Sequence, residues 1–340
     1  MRIPLLFLAV PLLLAASLAR AGDPAPAAPR TPQEVAAEVH RLLEEGYSAR
    51  CSSGYCESIA ALGHDAMAPL LEGIRGLKAD HPGDSLSCGA VALLAEKDDV
   101  PALRELLLAG RVNLARALER LQAKGCTEAT DALLDALAGR VFDSDVLRAL
   151  AEAPDRERVE KALLKVVGDG RKVEEEDRAE LASTFGTLGV RDAAPILRDW
   201  AGISRKPRSL VAIGRALVKL GEVKGVEVLL HVATERRTRF PCRPSTPEEE
   251  AAAAAPGRLC PEGFDDSDRE RAIEALGRIA GKGIFDLDEY WRRDLPRQGP
   301  DATTPDEFLD RGAAAFRKWW EASKERLRYD REKGAWVVGP

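Results

Sequence analysis

Apolar residues recur along most of the chain at intervals of three and four, with charged residues between them, which is the period of an amphipathic α-helix. The runs are short and are broken by corners that share one wording. "IAALGHDAMAPLLEGI" starts at Ile59, "VALLAEKDDVPALREL" at Val91 and "FGTLGVRDAAPILRDW" at Phe185. Each closes a helix with Leu-Gly or Leu-Ala, passes through a charged corner, and opens a Leu-rich helix. Pro69, Pro101 and Pro195 hold equivalent places in the first turn of that second helix, where a missing N–H costs no hydrogen bond. Gly63 and Gly189 stand where the end of a helix favours a positive φ.

Looser copies start at Ala117, Val146, Ile213 and Ala272, and the corner leucines are Leu62, Leu94, Leu121, Leu150, Leu188, Leu220 and Leu276. Most intervals between them are close to 30 residues, the period of helix pairs stacked into an array. In "LQAKGCTEATDALL", Thr130 stands near the place of the proline. The expected fold is all-α: a right-handed α-solenoid of stacked antiparallel helix pairs. One helix pair cannot bury its apolar face alone. Repeating the phrase yields a continuous core and an extended surface.

The "LG-x-x-x-A-x-P-x-L" phrase resembles the HEAT-repeat family, particularly the short HEAT-like repeats of phycobilisome lyases, over roughly residues 55–285. The resemblance implies a scaffold that binds proteins along a curved surface.

Both ends depart from the repeat. Arg2, the apolar run 4–18 and Ala19-Arg20-Ala21 match a secretory signal peptide over 1–21, with cleavage before Gly22. A Pro/Ala linker occupies 22–31. Thr31, Pro32 and Glu34 form a capping box that starts the first helix, expected over 32–45. The array then spans 32–285, with an insertion at about 236–266 that is either an ordered functional loop or a spacer. Ser267-Asp268-Arg269-Glu270 caps the helix after it. The region 286–340 holds a last helix, expected over 305–327, with Phe316, Trp320 and Leu327 on one stripe and Trp319 beside it. A short hairpin turning at Lys333-Gly334 follows. This aromatic end is a terminal cap or, alternatively, an exposed ligand site.

Composition adds three constraints. Only 5% of residues are aromatic, so the core must come from Leu, Ala, Val and Ile. The formal net charge is −6, and removing 1–21 deletes two arginines and no acid. That balance disfavours nucleic acid as a partner. No segment after the leader has the roughly 20 apolar residues of a membrane span. Six cysteines in an exported chain point to disulfides, with Cys51–Cys56, Cys88–Cys126 and Cys242–Cys260 as the expected pairing.

Catalytic wording is sparse. There is no G-x-S-x-G, H-E-x-x-H or C-x-x-C-H. "GRIAGKGI" (277–284) lacks the glycine spacing and the Ser or Thr of a phosphate loop, and "DDSDRE" (265–270) reads as an acidic helix start rather than a calcium loop. His40, His64, His81 and His231 are scattered. No cofactor or metal is expected. The favoured reading is a non-enzymatic scaffold in the periplasm or outside the cell that binds a protein along its second helices. Arg75, Arg104, Glu105, Asp135, Arg198, Trp200 and Glu227 are the candidate contacts. The alternative is an enzyme, or an accessory subunit, with a site built by 236–300 and the C-terminal region.

Overall fold

A computed structural model describes residues 31–49, 53–76, 82–168, 173–235, 266–281, 284–285 and 305–339. Among them are fifteen α-helices and one two-stranded hairpin, so the described fold is all-α apart from its last residues. The expected leader, most of the linker, nearly all of the insertion and His81 lie outside the described residues, as do Cys51, Cys242 and Cys260.

The capping box forms as read. Thr31 N–H donates to Glu34 Oε2 at 2.7 Å, and Glu34 N–H to Thr31 Oγ1 at 3.3 Å. Helix α1 runs Pro32–Ala49, longer than expected. Then come α2 (Ser53–Ala60), α3 (Met67–Gly76), α4 (Pro82–Leu94) and α5 (Val100–Leu108), followed by α6 (Ala115–Ala123) and α7 (Thr127–Ala138). The middle of the chain holds α8 (Ser144–Ala151), α9 (Arg156–Gly168), α10 (Glu175–Leu188) and α11 (Ala194–Ile203). The last helices are α12 (Pro207–Lys219), α13 (Lys224–Thr234), α14 (Asp266–Ala280) and α15 (Pro305–Ser323).

The three copies of the corner phrase fold alike. Each corner is a single 3₁₀ turn, at His64–Ala66, Lys97–Asp99 and Arg191–Ala193, that runs straight into the following helix. Pro101 and Pro195 fall in the first turns of α5 and α11. Gly189 closes α10 in the left-handed region at φ 73°, and Gly63 has φ 81°. A side chain is strained at either position, which explains the glycine. Where the phrase loosens, a different device appears. Buried Thr130 accepts a hydrogen bond from Gln122 Nε2 at 2.9 Å, so the polar substitute is satisfied within its own helix pair.

Every corner leucine lies at the C-terminal end of a first helix of a pair, or in the turn just after it: α2, α4, α6, α8, α10, α12 and α14 in turn. Consecutive members of that row touch one another from α2 through α14. In the second row α5 packs on α7, α7 on α9, and α13 on α15. The period in the sequence is therefore the period of the packing. The core is built mainly of Leu, Ala and Val, as the low aromatic content requires. One cluster extends from Val35 to Leu217, and a second joins α12–α15. Helix α12 serves both: Ile213 and Leu217 face the first, Leu210 and Val211 the second.

The aromatic end is buried rather than displayed. Phe316 is fully enclosed and Trp320 is 7% exposed. Helix α15 stops at Ser323, four residues before its expected end, and buried Leu327 begins strand β1 (Leu327–Asp330) instead. Strand β1 pairs antiparallel with β2 (Ala335–Val338), with Tyr329 opposite Trp336. Trp336 Nε1 donates to the Val218 carbonyl at 3.1 Å, tying the hairpin to the end of α12. Helix α14 begins at Asp266, one residue before Ser267.

The Cys88–Cys126 bridge is a correction: no described pair of cysteines is joined. Helix α4 carries Cys88 into the core. Cys126 is the N-cap of α7, with its thiol 3.5 Å from Glu128 Oε2. Cys56 Sγ donates to the Leu86 carbonyl at 3.4 Å, and burial pushes its thiol pKa up. Partner cysteines cannot be read from spacing when helix packing sets which thiols meet.

Adjacent corners are linked by His64 and Asp99, 2.9 Å apart. The hydrogen bond to Asp99 raises the His64 pKa above its ordinary 6.5. A raised folded-state pKa adds stability that is complete below the unfolded value and is lost as pH rises through the folded one. An NMR titration of the imidazole should give a midpoint above 6.5, and Asp99→Asn should bring it back down. A His64 midpoint indifferent to Asp99→Asn would remove the link.

Candidate functional site

The second-helix row proves to be balanced against itself. Arg75 of α3 lies 3.7 Å from Glu105 of α5, and Arg104 of α5 lies 2.7 Å from Asp135 of α7. Asp131 of α7 and Arg158 of α9 continue the step at 2.6 Å. Farther on, Arg198 faces Glu222 at 4.0 Å and Glu227 holds Lys224 at 2.9 Å. Each such exposed pair contributes at most about 1 kcal/mol to stability. Their effect is to leave little net charge on that face. Trp200 is buried, with its ring 6.4 Å from Phe185, and belongs to the core.

The concave features lie on the other row. Glu176, Glu180, Ser183 and Thr187 recur every three or four residues and form one stripe of α10. Arg208, Ala212, Arg215 and Lys219 do the same on α12. The two helices approach closely between these stripes. A Cβ placed on Gly186 would stand 2.9 Å from the Cα of Ala216, so only glycine fits without separating them. Small residues thus make the floor and long polar ones the walls of a hollow of about 350 Å³, which Arg271 of α14 closes on one side. A second hollow of about 710 Å³ adjoins it, sharing Ala179, Glu180 and Arg208. It reaches Ser144 of α8 and Asp268 of α14, at the starts of those helices.

Charge is distributed unevenly along this groove. At the larger hollow, Lys206 holds Glu176 at 2.5 Å and Arg208 holds Glu180 at 2.7 Å. The bond to Lys206 lowers the Glu176 pKa, while burial raises that of Asp177. The smaller hollow is lined by four cations, Arg208, Arg215, Lys219 and Arg271, against the single acid Glu180. Arg215 and Lys219 have no carboxylate within ion-pair distance among the described residues. Burial, then the charges of Arg215 and Arg278, depress the Lys219 pKa below the ordinary lysine value. Within a chain of net charge −6, this is a local positive site.

The signal was legible in "RSLVAIGRALVKL". Helix α12 carries Arg208, Arg215 and Lys219 and no acid at all. It was overshadowed by the more numerous charges that follow the corners. Chemically the groove can hold an anion through charge and hydrogen bonding. Its walls contain no histidine or cysteine, and the described residues contain no group of His, Cys, Asp and Glu placed to hold a metal ion. No protein-family model matches the chain, and no curated protein or solved structure is found similar to it.

Proposed function

We propose that the chain is an exported, non-enzymatic scaffold whose helix pairs stack as a HEAT-like α-solenoid, and that it binds a protein partner along its row of first helices. One observation carries this reading: the first helices touch in unbroken succession, and their outer face holds an elongated groove across α8, α10, α12 and α14. An open groove crossing several repeats suits a polypeptide better than a small substrate. The signal-peptide-like pattern of residues 1–21 supports the export reading. The proposal moves the contact face from the second helices to the first, because the second row compensates its own charges.

Site-specific photo-crosslinking in the native envelope tests it. A crosslinker at Ser183, on the groove wall, should capture a discrete protein. The same group at Lys165, on the exposed side of α9, should not. Equal adducts from both positions, or none from Ser183, would reject the groove as a partner-binding face. N-terminal sequencing of the recovered protein should begin at Gly22.

A further inference from the structure

Helices α12 and α14 together give the groove its positive end. Arg208 is engaged by Glu180 at 2.7 Å. Arg215 and Lys219, one helical turn apart, stand over the hollow without a carboxylate partner among the described residues. Arg278 of α14 adds a third positive charge close enough to oppose protonation of Lys219, although Glu274 pairs with it at 2.5 Å. Holding like charges together costs electrostatic free energy, which an anion placed between them offsets.

We propose that the hollow between α10, α12 and α14 binds an acidic protein segment, with Arg215 and Lys219 each taking a carboxylate from residues about one helical turn apart. This inference rests on the partner-binding reading above and names the chemistry of the partner. The floor of Ala179, Gly186, Ala212 and Ala216 lets a peptide backbone come close. The hollow continues past Arg208 into the larger one, so it offers length rather than a pocket for a single ion. The net charge of −6 repels an acidic chain elsewhere and steers it to this face. Nucleic acid is a poorer fit, because its phosphates, charged at every residue, would meet Asp143 before α8 and Glu176 and Asp177 of α10 in the adjoining hollow, whereas a peptide carries carboxylates at only some positions.

The test is fluorescence anisotropy on the full mature chain with a labelled helical peptide bearing Glu at i and i+4. The wild type should bind it saturably, and more weakly as salt rises. Arg215→Glu/Lys219→Glu should weaken binding by about tenfold or more, and Arg215→Gln/Lys219→Gln by a smaller factor. Circular dichroism checks folding, and the glutamine pair carries the test if the reversal does not fold. Arg156→Glu/Lys165→Glu on exposed α9 makes the same change in net charge and should stay within about twofold of wild type.

The proposal would be overturned by no saturable binding to the wild type, by an equal loss in the α9 control, or by displacement by inorganic phosphate as effective as by unlabelled peptide. The last would assign the hollow to small anions. A Ser183 crosslink that the acidic peptide fails to compete away would also refute the acidic segment while leaving the scaffold reading intact. Peptide binding without any crosslinked partner would do the reverse.

Discussion

Arg269→Ala should destabilise the C-terminal part of the protein by about 3 kcal/mol, the low end of the range for breaking a buried ion pair, since the arginine is buried and Asp310 is partly open to solvent. The Arg269 side chain is among the largest fully buried, at 1% exposure for the residue. Its Nη2 donates to Asp310 Oδ1 at 2.6 Å and its Nε to the Ala233 carbonyl at 3.2 Å. One guanidinium therefore joins α14 to α15 and also satisfies a carbonyl in the last turn of α13. Alanine leaves that carbonyl and the Asp310 carboxylate without these donors and opens a cavity. Asp310→Ala should be comparably harmful for another reason, since it leaves the buried cation without that carboxylate. The pair Arg269→Met/Asp310→Leu should recover part of the loss, because a methionine at the buried position avoids the desolvation of the arginine charge. Urea denaturation followed by tryptophan fluorescence measures all three. Trp320 belongs to the core cluster that α13, α14 and α15 share, and Trp319 and Trp336 pack against it, so they report on this part of the chain. A loss below about 1 kcal/mol in both single variants would show that the contact does not hold α15 in place.

The contrast between Arg269 and the corner leucines shows what was legible in advance. Leu188, Gly189 and Pro195 act through chemistry that is local along the chain: an apolar helix end, a left-handed residue and a first-turn proline. Their spacing therefore located helix ends and the pairing of helices. Arg269 stands in "DDSDRE", where a helix start explains every charge without any tertiary contact. Nothing local distinguishes a buried arginine from an exposed one. Cys88 and Cys126 fail as a pair for the same reason, since the distance between two thiols depends on how α4 and α7 are placed. The groove falls between these cases. The missing acid in α12 is local and readable. That Arg215 and Lys219 overlie a hollow floored by Gly186 and Ala216 depends on the approach of α10 to α12, which no single helix specifies.

Trp320→Ala should cost about 3–5 kcal/mol, the range for deleting a large buried aromatic. Its effect should also be local. Trp320 and Phe316 lie in the second core cluster with α13 and α14, and that cluster meets the first across α12. In an array of helix pairs each pair is supported by its neighbours alone, so losing the last interface lowers the stability of the adjacent pairs before distant ones. Hydrogen exchange should then show protection falling first over α13–α15 and the Leu327–Val338 hairpin. Protection should persist in α5–α7, whose contacts lie within the first cluster. Equal loss of protection from α5 to α15 would mean that the chain unfolds as one cooperative body, and would remove the repeat array from the proposed scaffold. Unchanged stability, within about 0.5 kcal/mol, would contradict the burial of Trp320 itself. A local loss would have a further consequence for the groove. Arg271 and Arg278 are carried by α14, so Trp320→Ala should weaken acidic-peptide binding even though Trp320 does not line the hollow. Arg215 and Lys219 on α12 should retain part of the affinity.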